Sequence, residues 1–387
     1  MDPHAPPAPD TSTKSRRSTQ GHARGATRHT VHTARAAHTP PSMHTVRGTC
    51  RVHGVRAARV VLSIALVAAT AVAGTVGAAP PRPALARPVA PSPPPPPRPG
   101  PTRHVVTADD GHPLTVWEKR PAAPRRTILL LHGRTWSALP DFDLQVPGRH
   151  ASLMDALVAR GYAVYALDAR GYGATPRDSS GWLTPDRAAA DVITAARWIA
   201  KTSGVAGPPV LFGWSFGSIT AQLAAQRAPD AASALVLFGH FTFPAPQPPD
   251  TSYAPPPRAA TTAAAAGEDF ITPAATDPAV RDAYVRAALQ AQPIKPDWRH
   301  LDQFNALDPA AVHVPTLEIM GERDPISARV PEGEALFFGR LGTGDREFVV
   351  LPGVDHAAFL ENQEPRFVEA LVDFLDRPHA QPAPPSP

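Results

Sequence analysis

The sequence predicts an α/β fold: a mostly parallel central sheet flanked by helices, with a helical cap inserted late in the chain. Three observations carry this. From His104 onward, short apolar runs alternate with segments of helical periodicity, the pattern of repeated strand–helix–strand units. Runs such as Thr127–Leu131 (TILLL) are apolar at successive positions, as strands covered on both faces require. The alternation then lapses for about 70 residues between Phe241 and Val314, too long for an ordinary loop.

Val105–Ala108 and Leu114–Glu118 read as an opening strand pair turned at Asp109-Asp110-Gly111. Thr127–Leu131 is the first buried strand and ends at His132-Gly133. Ser152–Ala159 has helical spacing and stops at Gly161; Tyr162–Leu167 is the next strand, ending at Asp168. In Pro185–Ala200, residues Ala188, Val192, Ala195 and Ile199 share one face of an amphipathic helix. Pro209–Phe212 and Ala234–Phe238 are strands separated by a small-residue helix, Ser218–Ala228. Right-handed crossovers gather these strands into one sheet. Residues 242–314 read as the cap: a Pro/Ala/Thr-rich stretch over 242–266, then helices over 277–291 and 297–307 anchored by Tyr284, Trp298, Leu301, Phe304 and Leu307. Strands resume at Thr316–Met320 and Glu347–Leu351, and the helix Pro365–Leu375 closes a domain spanning 102–378. Residues 379–387 are a short Pro-rich tail, read as disordered.

The first 101 residues are a different kind of chain. They hold 18 of the 50 prolines and 13 Lys/Arg against only Asp2 and Asp10, whereas the rest carries 25 Lys/Arg against 32 Asp/Glu. The formal net charge of +4 therefore averages a basic arm and an acidic body. A nucleic-acid-binding body is excluded, because counterion release needs positive charge clustered where the nucleic acid docks. Cys50 is the single cysteine, which leaves no intrachain disulfide and no cysteine-built metal centre. No cofactor or metal is expected.

Residues 1–59 have too few large apolar side chains to offset ordering entropy and read as a disordered basic extension. Met43 offers an alternative start that would leave 1–42 untranslated. Val60–Ala79 follows, uncharged, behind Arg51, Arg56 and Arg59, with small residues at Ala71–Ala73 and Gly77–Ala79. This is the layout of a signal-peptide core or, at a length that spans a bilayer, of a single membrane anchor. Residues 80–101 are a proline-rich linker. The expectation is a protein secreted or tethered outside the cytoplasmic membrane, associated with membrane or cell wall through this segment. The lack of disulfides fits bacterial export better than a eukaryotic secretory route.

The sharpest chemical signal is Gly213-Trp214-Ser215-Phe216-Gly217, entered by a strand and left by a helix. A serine on so tight a turn projects its hydroxyl, and small flanking residues let the backbone close. A serine hydroxyl needs a base to become nucleophilic, and the base needs an orienting acid. Later strands end in Gly321-Glu322-Arg323-Asp324-Pro325 and Pro352-Gly353-Val354-Asp355-His356, so Asp324 and His356 follow Ser215 on loops at strand ends. Asp355 and Glu322 are rival acids, although adjacency misaims Asp355 for its neighbour's imidazole. Oxyanion donors are expected from the backbone N–H of Phe216 and of Arg134 in the loop after Thr127–Leu131, with the Arg134 side chain left open. Trp136 and Trp214 are candidates for the substrate pocket. His132 reads as a loop fastener, as do Asp168 and Arg170 in Asp168-Ala-Arg-Gly-Tyr-Gly, which lacks the dinucleotide fingerprint.

With His132-Gly133, Asp168–Gly173, Gly213–Gly217, Gly321–Pro325 and Val354–His356 in this order, residues 104–378 resemble the α/β-hydrolase superfamily, in its capped serine-hydrolase branch of esterases, lipases and peptidases. The resemblance implies the α/β-hydrolase fold, Ser215 as nucleophile, Asp324 as acid, His356 as base, the Arg134 and Phe216 amides as oxyanion hole, and a lid after the sixth core strand. Arg134-Thr135, Trp214 and Ser218 stand where family members commonly carry Pro or Gly, His, and Gly. The expected reaction is cleavage of small-molecule or lipid-like carboxylic esters through an acyl-enzyme, as a carboxylesterase or lipase. The alternatives are an exported exopeptidase of the proline-iminopeptidase kind, with Glu268, Asp269 or Asp282 as the carboxylate for a substrate amine, a cofactor-free perhydrolase, or a non-catalytic binding domain.

Overall fold

The structure, a computed structural model, describes residues 100–243, 245–251, 258–327 and 331–379. The basic extension, the apolar segment 60–79, the linker through residue 99, and the tail from residue 380 lie outside the described residues, as do 244 and 252–257 of the Pro-rich stretch. Among the described residues no helix is long and apolar enough to cross a membrane.

The chain runs β1 (Thr102–Thr107), β2 (Pro113–Lys119), β3 (Arg126–Leu131), α1 (Ala138–Phe142), α2 (Leu153–Ala159), β4 (Tyr162–Asp168), α3 (Pro185–Thr202), β5 (Val210–Trp214), α4 (Phe216–Arg227) and β6 (Ala234–Phe238). The cap follows with α5 (Ala263–Gly267) and α6 (Pro278–Ala291), and then come β7 (Thr316–Gly321), α7 (Pro331–Arg340), β8 (Arg346–Leu351) and α8 (Glu364–Asp376). One sheet holds all eight strands in the order β1-β2-β4-β3-β5-β6-β7-β8. β2 runs antiparallel to β1 and β4; the other pairings are parallel. Winding goes one way from β3 to β4 and the other way from β5 to β8. The loops leaving β3 and β5 therefore diverge, and the carboxyl ends of these strands frame a crevice.

Alternate side chains explain the unbroken apolar runs. Ile128 and Leu130 of β3 join Phe212, Leu157, Phe367 and Leu371, whereas Leu129 and Leu131 join Leu211, Val192, Ile199 and Ile219. The sheet is thus covered by α2 and α8 on one face and by α3 and α4 on the other. In the cap, Val280, Tyr284 and Ala288 of α6 are spaced by four and turn one face inward. Tyr284 packs edge-on to Phe270, and its hydroxyl donates to Asp141 Oδ1 at 2.9 Å.

One expected element takes another form. The helix expected over 297–307 is a 3-10 turn, Leu301–Ala306, preceded by extended chain. Trp298 bridges Leu183, with Leu183 N–H donating to Asp297 O at 2.9 Å and Arg299 N–H donating to Leu183 O at 3.0 Å. His300, at φ 53°, is left-handed and separates the two pieces. The apolar anchors are where the spacing put them, since Trp298 and Phe304 are buried, but the backbone between them cannot be helical.

Arg170 holds the loop after β4. Its guanidinium forks onto Asp191 of α3 (Nε–Oδ2 2.6 Å, Nη2–Oδ1 2.9 Å) and onto Asp110 in the β1–β2 turn (2.7 Å to each oxygen). Its hydrogen bond holds the Asp110 carboxyl well below the usual range, while burial raises that of Asp191. Arg170→Ala leaves the buried Asp191 with the part-exposed Arg187, 3.2 Å away, and is expected to cost about 3 kcal/mol. The urea midpoint should fall with an unchanged slope; an unshifted midpoint would show the clamp to be dispensable.

Candidate active site

β5 ends at Trp214 and α4 begins at Phe216, so Ser215 is the entire connection. Its φ of 55° is a conformation that costs a residue with a Cβ about 1–3 kcal/mol. The turn is held by Ser215 N–H donating to Phe238 O at 3.0 Å and by Ser218 N–H donating to Ser215 O at 2.9 Å. A Cβ on Gly217 would stand 2.2 Å from the Leu131 carbonyl oxygen, which is why the helix can pass β3 only with glycine there. Phe216, in the first turn of α4, has an N–H with no intrahelical acceptor.

His356 follows β8 and Asp324 follows β7. Both are buried, with His356 Nδ1 2.8 Å from Asp324 Oδ2. Asp324 also accepts the Ile326 N–H at 2.8 Å and the Ser327 hydroxyl at 2.9 Å. Burial opposes its ionisation, but these bonds, that of His356 foremost, keep its carboxyl below the ordinary range. An ionised Asp324 fixes a proton on Nδ1 and leaves Nε2 as the acceptor. Trp214 Nε1 donates to the His356 carbonyl at 2.6 Å and fastens this loop over the elbow. The rival acids are engaged elsewhere: Asp355 Oδ2 accepts the Thr272 N–H at 2.7 Å, and Glu322 Oε2 accepts the Gly353 N–H at 2.8 Å.

Ser215 and His356 border one cavity of about 320 Å³, together with Trp136, Trp214, Phe216 and Arg134. Among the described residues no direct hydrogen bond joins the Ser215 hydroxyl to the imidazole. A larger cavity of about 720 Å³ opens between α1 and α6, but it contains neither Ser215 nor His356. The Arg134 guanidinium, left open by the sequence, lies over the Phe216 ring at 4.9 Å. Its carbonyl accepts the Tyr172 hydroxyl. His132 is a loop fastener: Nε2 accepts the Ala169 N–H at 3.0 Å, Nδ1 faces Gly133 O at 2.8 Å, and burial lowers its pKa. Asp168 likewise ties three segments, accepting from Trp117 Nε1 at 2.8 Å and from the Ala138 and Ala174 amides at 2.9 Å.

Two features were not legible in the sequence. Of the three cap carboxylates weighed for a substrate amine, only Asp269 borders the cavity. It is half-buried, walled by protein yet open toward the site. Burial pushes its carboxyl up to about 6, with the nearby His356 acting in the opposite sense. The Tyr284 hydroxyl stands 3.4 Å from its Oδ2. The second feature is Gly239, at φ 57°, where a Cβ would come within 2.7 Å of His356 Cε1. Gly239→Ala is expected to displace the imidazole and lower kcat/KM about 10²-fold without loss of circular-dichroism signal. An active variant would show that the ring has room to yield.

A family profile described as serine aminopeptidase, S33, matches residues 122–363, more than half of the chain. No curated protein sequence matches it. Among solved structures, an epoxide hydrolase from Vigna radiata shares 17% identity and a TM-score of 0.50, covering 71% of this chain and 98% of that one. A thermophilic esterase from Thermogutta terrifontis shares 20% identity and a TM-score of 0.48, with coverage of 71% and 98%. The likeness to the first is one of fold. The chain therefore belongs to the serine aminopeptidase S33 family and is an α/β-hydrolase-fold enzyme of the serine-hydrolase branch.

Proposed function

We propose that the protein is a serine exopeptidase that releases an N-terminal residue from short peptides. In this reading Ser215 attacks the carbonyl that follows a free α-amine. His356 Nε2 takes the serine proton, and Asp324 orients the imidazole and stabilises its charged form. The Arg134 and Phe216 amides receive the developing oxyanion. His356 then protonates the leaving amine and activates water to clear the acyl-enzyme. In this reading the hydrogen bond from the Ser215 hydroxyl to the imidazole forms as substrate fills the cavity.

The observation that carries this reading is the Asp269 carboxylate in the cavity shared by Ser215 and His356. A half-buried anion facing a cavity with aromatic walls is well used by a cation, and the ammonium group of an N-terminal residue supplies one. A volume of about 320 Å³, at the small end of ligand pockets, suits one residue better than a long acyl chain. The family match supports the same choice. Carboxylesterase activity on short acyl esters is the second reading. It is favoured by the aromatic walls Trp136, Trp214 and Phe216 and by the easier departure of an alkoxide.

Initial rates on alanyl-, leucyl- and prolyl-p-nitroanilides, on their N-acetylated forms and on p-nitrophenyl esters from C2 to C16 decide between them. The expected result is turnover of the free-amine anilides, lost on acetylation. Turnover of acyl esters alone would establish the esterase, and a preference for long chains would overturn the small-substrate reading. We further propose that the enzyme acts outside the cytoplasmic membrane. N-terminal sequencing of material recovered from culture medium and from membranes tests this, and an intact N-terminus in the cytosolic fraction alone would refute it.

A further inference from the structure

We propose a divalent-cation site, suited to Zn²⁺, formed by His240, Glu318 and Glu334 in the interior behind the catalytic loops. His240 lies two residues beyond β6, Glu318 lies on β7 and Glu334 on α7, so the site ties together three elements distant in sequence. All three side chains are buried, and one ligand atom from each lies within 4.8 Å of the other two. An imidazole nitrogen with two carboxylate oxygens is a donor set that zinc accepts, at metal–ligand distances of about 2.0–2.2 Å.

A relay of hydrogen bonds fixes which imidazole nitrogen is available. Gln226 is set by the backbone: its Oε1 accepts the Asp308 N–H at 3.1 Å, and its Nε2 donates to Ala306 O at 3.2 Å. Gln226 Oε1 also accepts from Gln222 Nε2 at 3.0 Å, which leaves Gln222 Oε1 to face His240 Nε2 at 3.1 Å. An amide oxygen can only accept, so Nε2 carries a proton, and Nδ1 is the nitrogen that faces Glu334 Oε2, 2.9 Å away. Metal-ligating histidines are oriented in this way, by an acceptor on the far nitrogen. A ring nitrogen and a carboxylate oxygen this close need a proton or a cation between them. Nearby, Glu318 Oε2 is buried without a hydrogen-bond partner. One divalent ion takes the place of protons in this cluster and engages the orphaned oxygen. A cavity of about 400 Å³ bordered by His240 and Gln222 lies beside the cluster.

Glu318→Gln separates the two ways of balancing this charge. The amide mimics a protonated carboxyl, so if protons balance the cluster the variant is neutral; if a metal does, the variant loses it. The full-length chain and the variant are stripped with a chelator, dialysed against Zn²⁺ and assayed for bound zinc by mass spectrometry. Any zinc held by the histidines in residues 1–53 is common to both forms, so the difference isolates this site. The expected difference is one equivalent per chain. Excess Zn²⁺ should raise Tm by about 5 °C in the wild type and not in Glu318→Gln, whose metal-free Tm should match the wild type's. Equal zinc content in the two forms, or a wild-type Tm that does not respond to Zn²⁺, would overturn the site and leave protons as the balancing charge.

Discussion

Ser215→Ala is expected to lower kcat/KM by about 10⁴-fold or more on any substrate the enzyme cleaves, with little change in KM. The effect falls on the chemical step, because the hydroxyl is what forms the acyl bond, whereas the walls of the cavity are left intact. Stability should hardly move: the Ser215 backbone keeps its bonds to Phe238 and Ser218, and alanine meets the same strain at φ 55° as serine does. His356→Ala should be about as damaging, and the double variant no worse than either single one, since the two residues act as a unit. Stopped-flow release of p-nitroaniline or p-nitrophenol, with titration by a serine-reactive phosphonate, measures this. Residual activity within tenfold of wild type in Ser215→Ala would remove serine from the mechanism altogether.

How much of this was readable depends on the range of each interaction. The elbow was legible because it is local: strand, turn and helix lie within consecutive residues, and Gly217 answers to a carbonyl that the next strand over must present. The strands were legible because burial on both faces leaves no polar positions, as Ile128–Leu131 shows. Asp324 was preferred to Asp355 on steric grounds, and the structure turns Asp355 to the Thr272 amide. The segment around Trp298 misled because its apolar spacing is helical while one left-handed residue, His300, interrupts the backbone. Asp269 carries no local signature. It reaches the cavity because Phe270 packs on Tyr284 of α6, a tertiary fact with no trace in the spacing of either residue. His240 and Glu334 meet across 94 positions, and nothing in a linear pattern joins them.

Asp269→Asn should divide substrates by their charge. For aminoacyl anilides kcat/KM is expected to fall about 10²-fold, mostly through KM, because a charged partner is lost from a half-buried ammonium site. For p-nitrophenyl acetate, which has no amine, it should change less than threefold, the scatter of a neutral isosteric swap. The pH dependence carries the same signature with a definite sign. Burial raises the Asp269 carboxyl to about 6, so the anion exists only above that pH. The ratio of kcat/KM for alanyl-p-nitroanilide to that for p-nitrophenyl acetate should therefore rise as pH increases through about 6 and fall again above about 8, where the substrate's α-amine loses its proton. Titration of the shared Ser215–His356–Asp324 machinery cancels in this ratio, and in Asp269→Asn the rise through pH 6 should be missing. Stability should move the other way. A carboxyl whose folded pKa is raised destabilises the fold progressively as pH climbs from the unfolded value toward the folded one, and asparagine removes that cost. The variant should thus melt higher than wild type at pH 7 while working less well on amines, as expected where an enzyme holds a charge in place for its substrate. An equal loss on both substrates would make Asp269 a structural residue and return the esterase to first place.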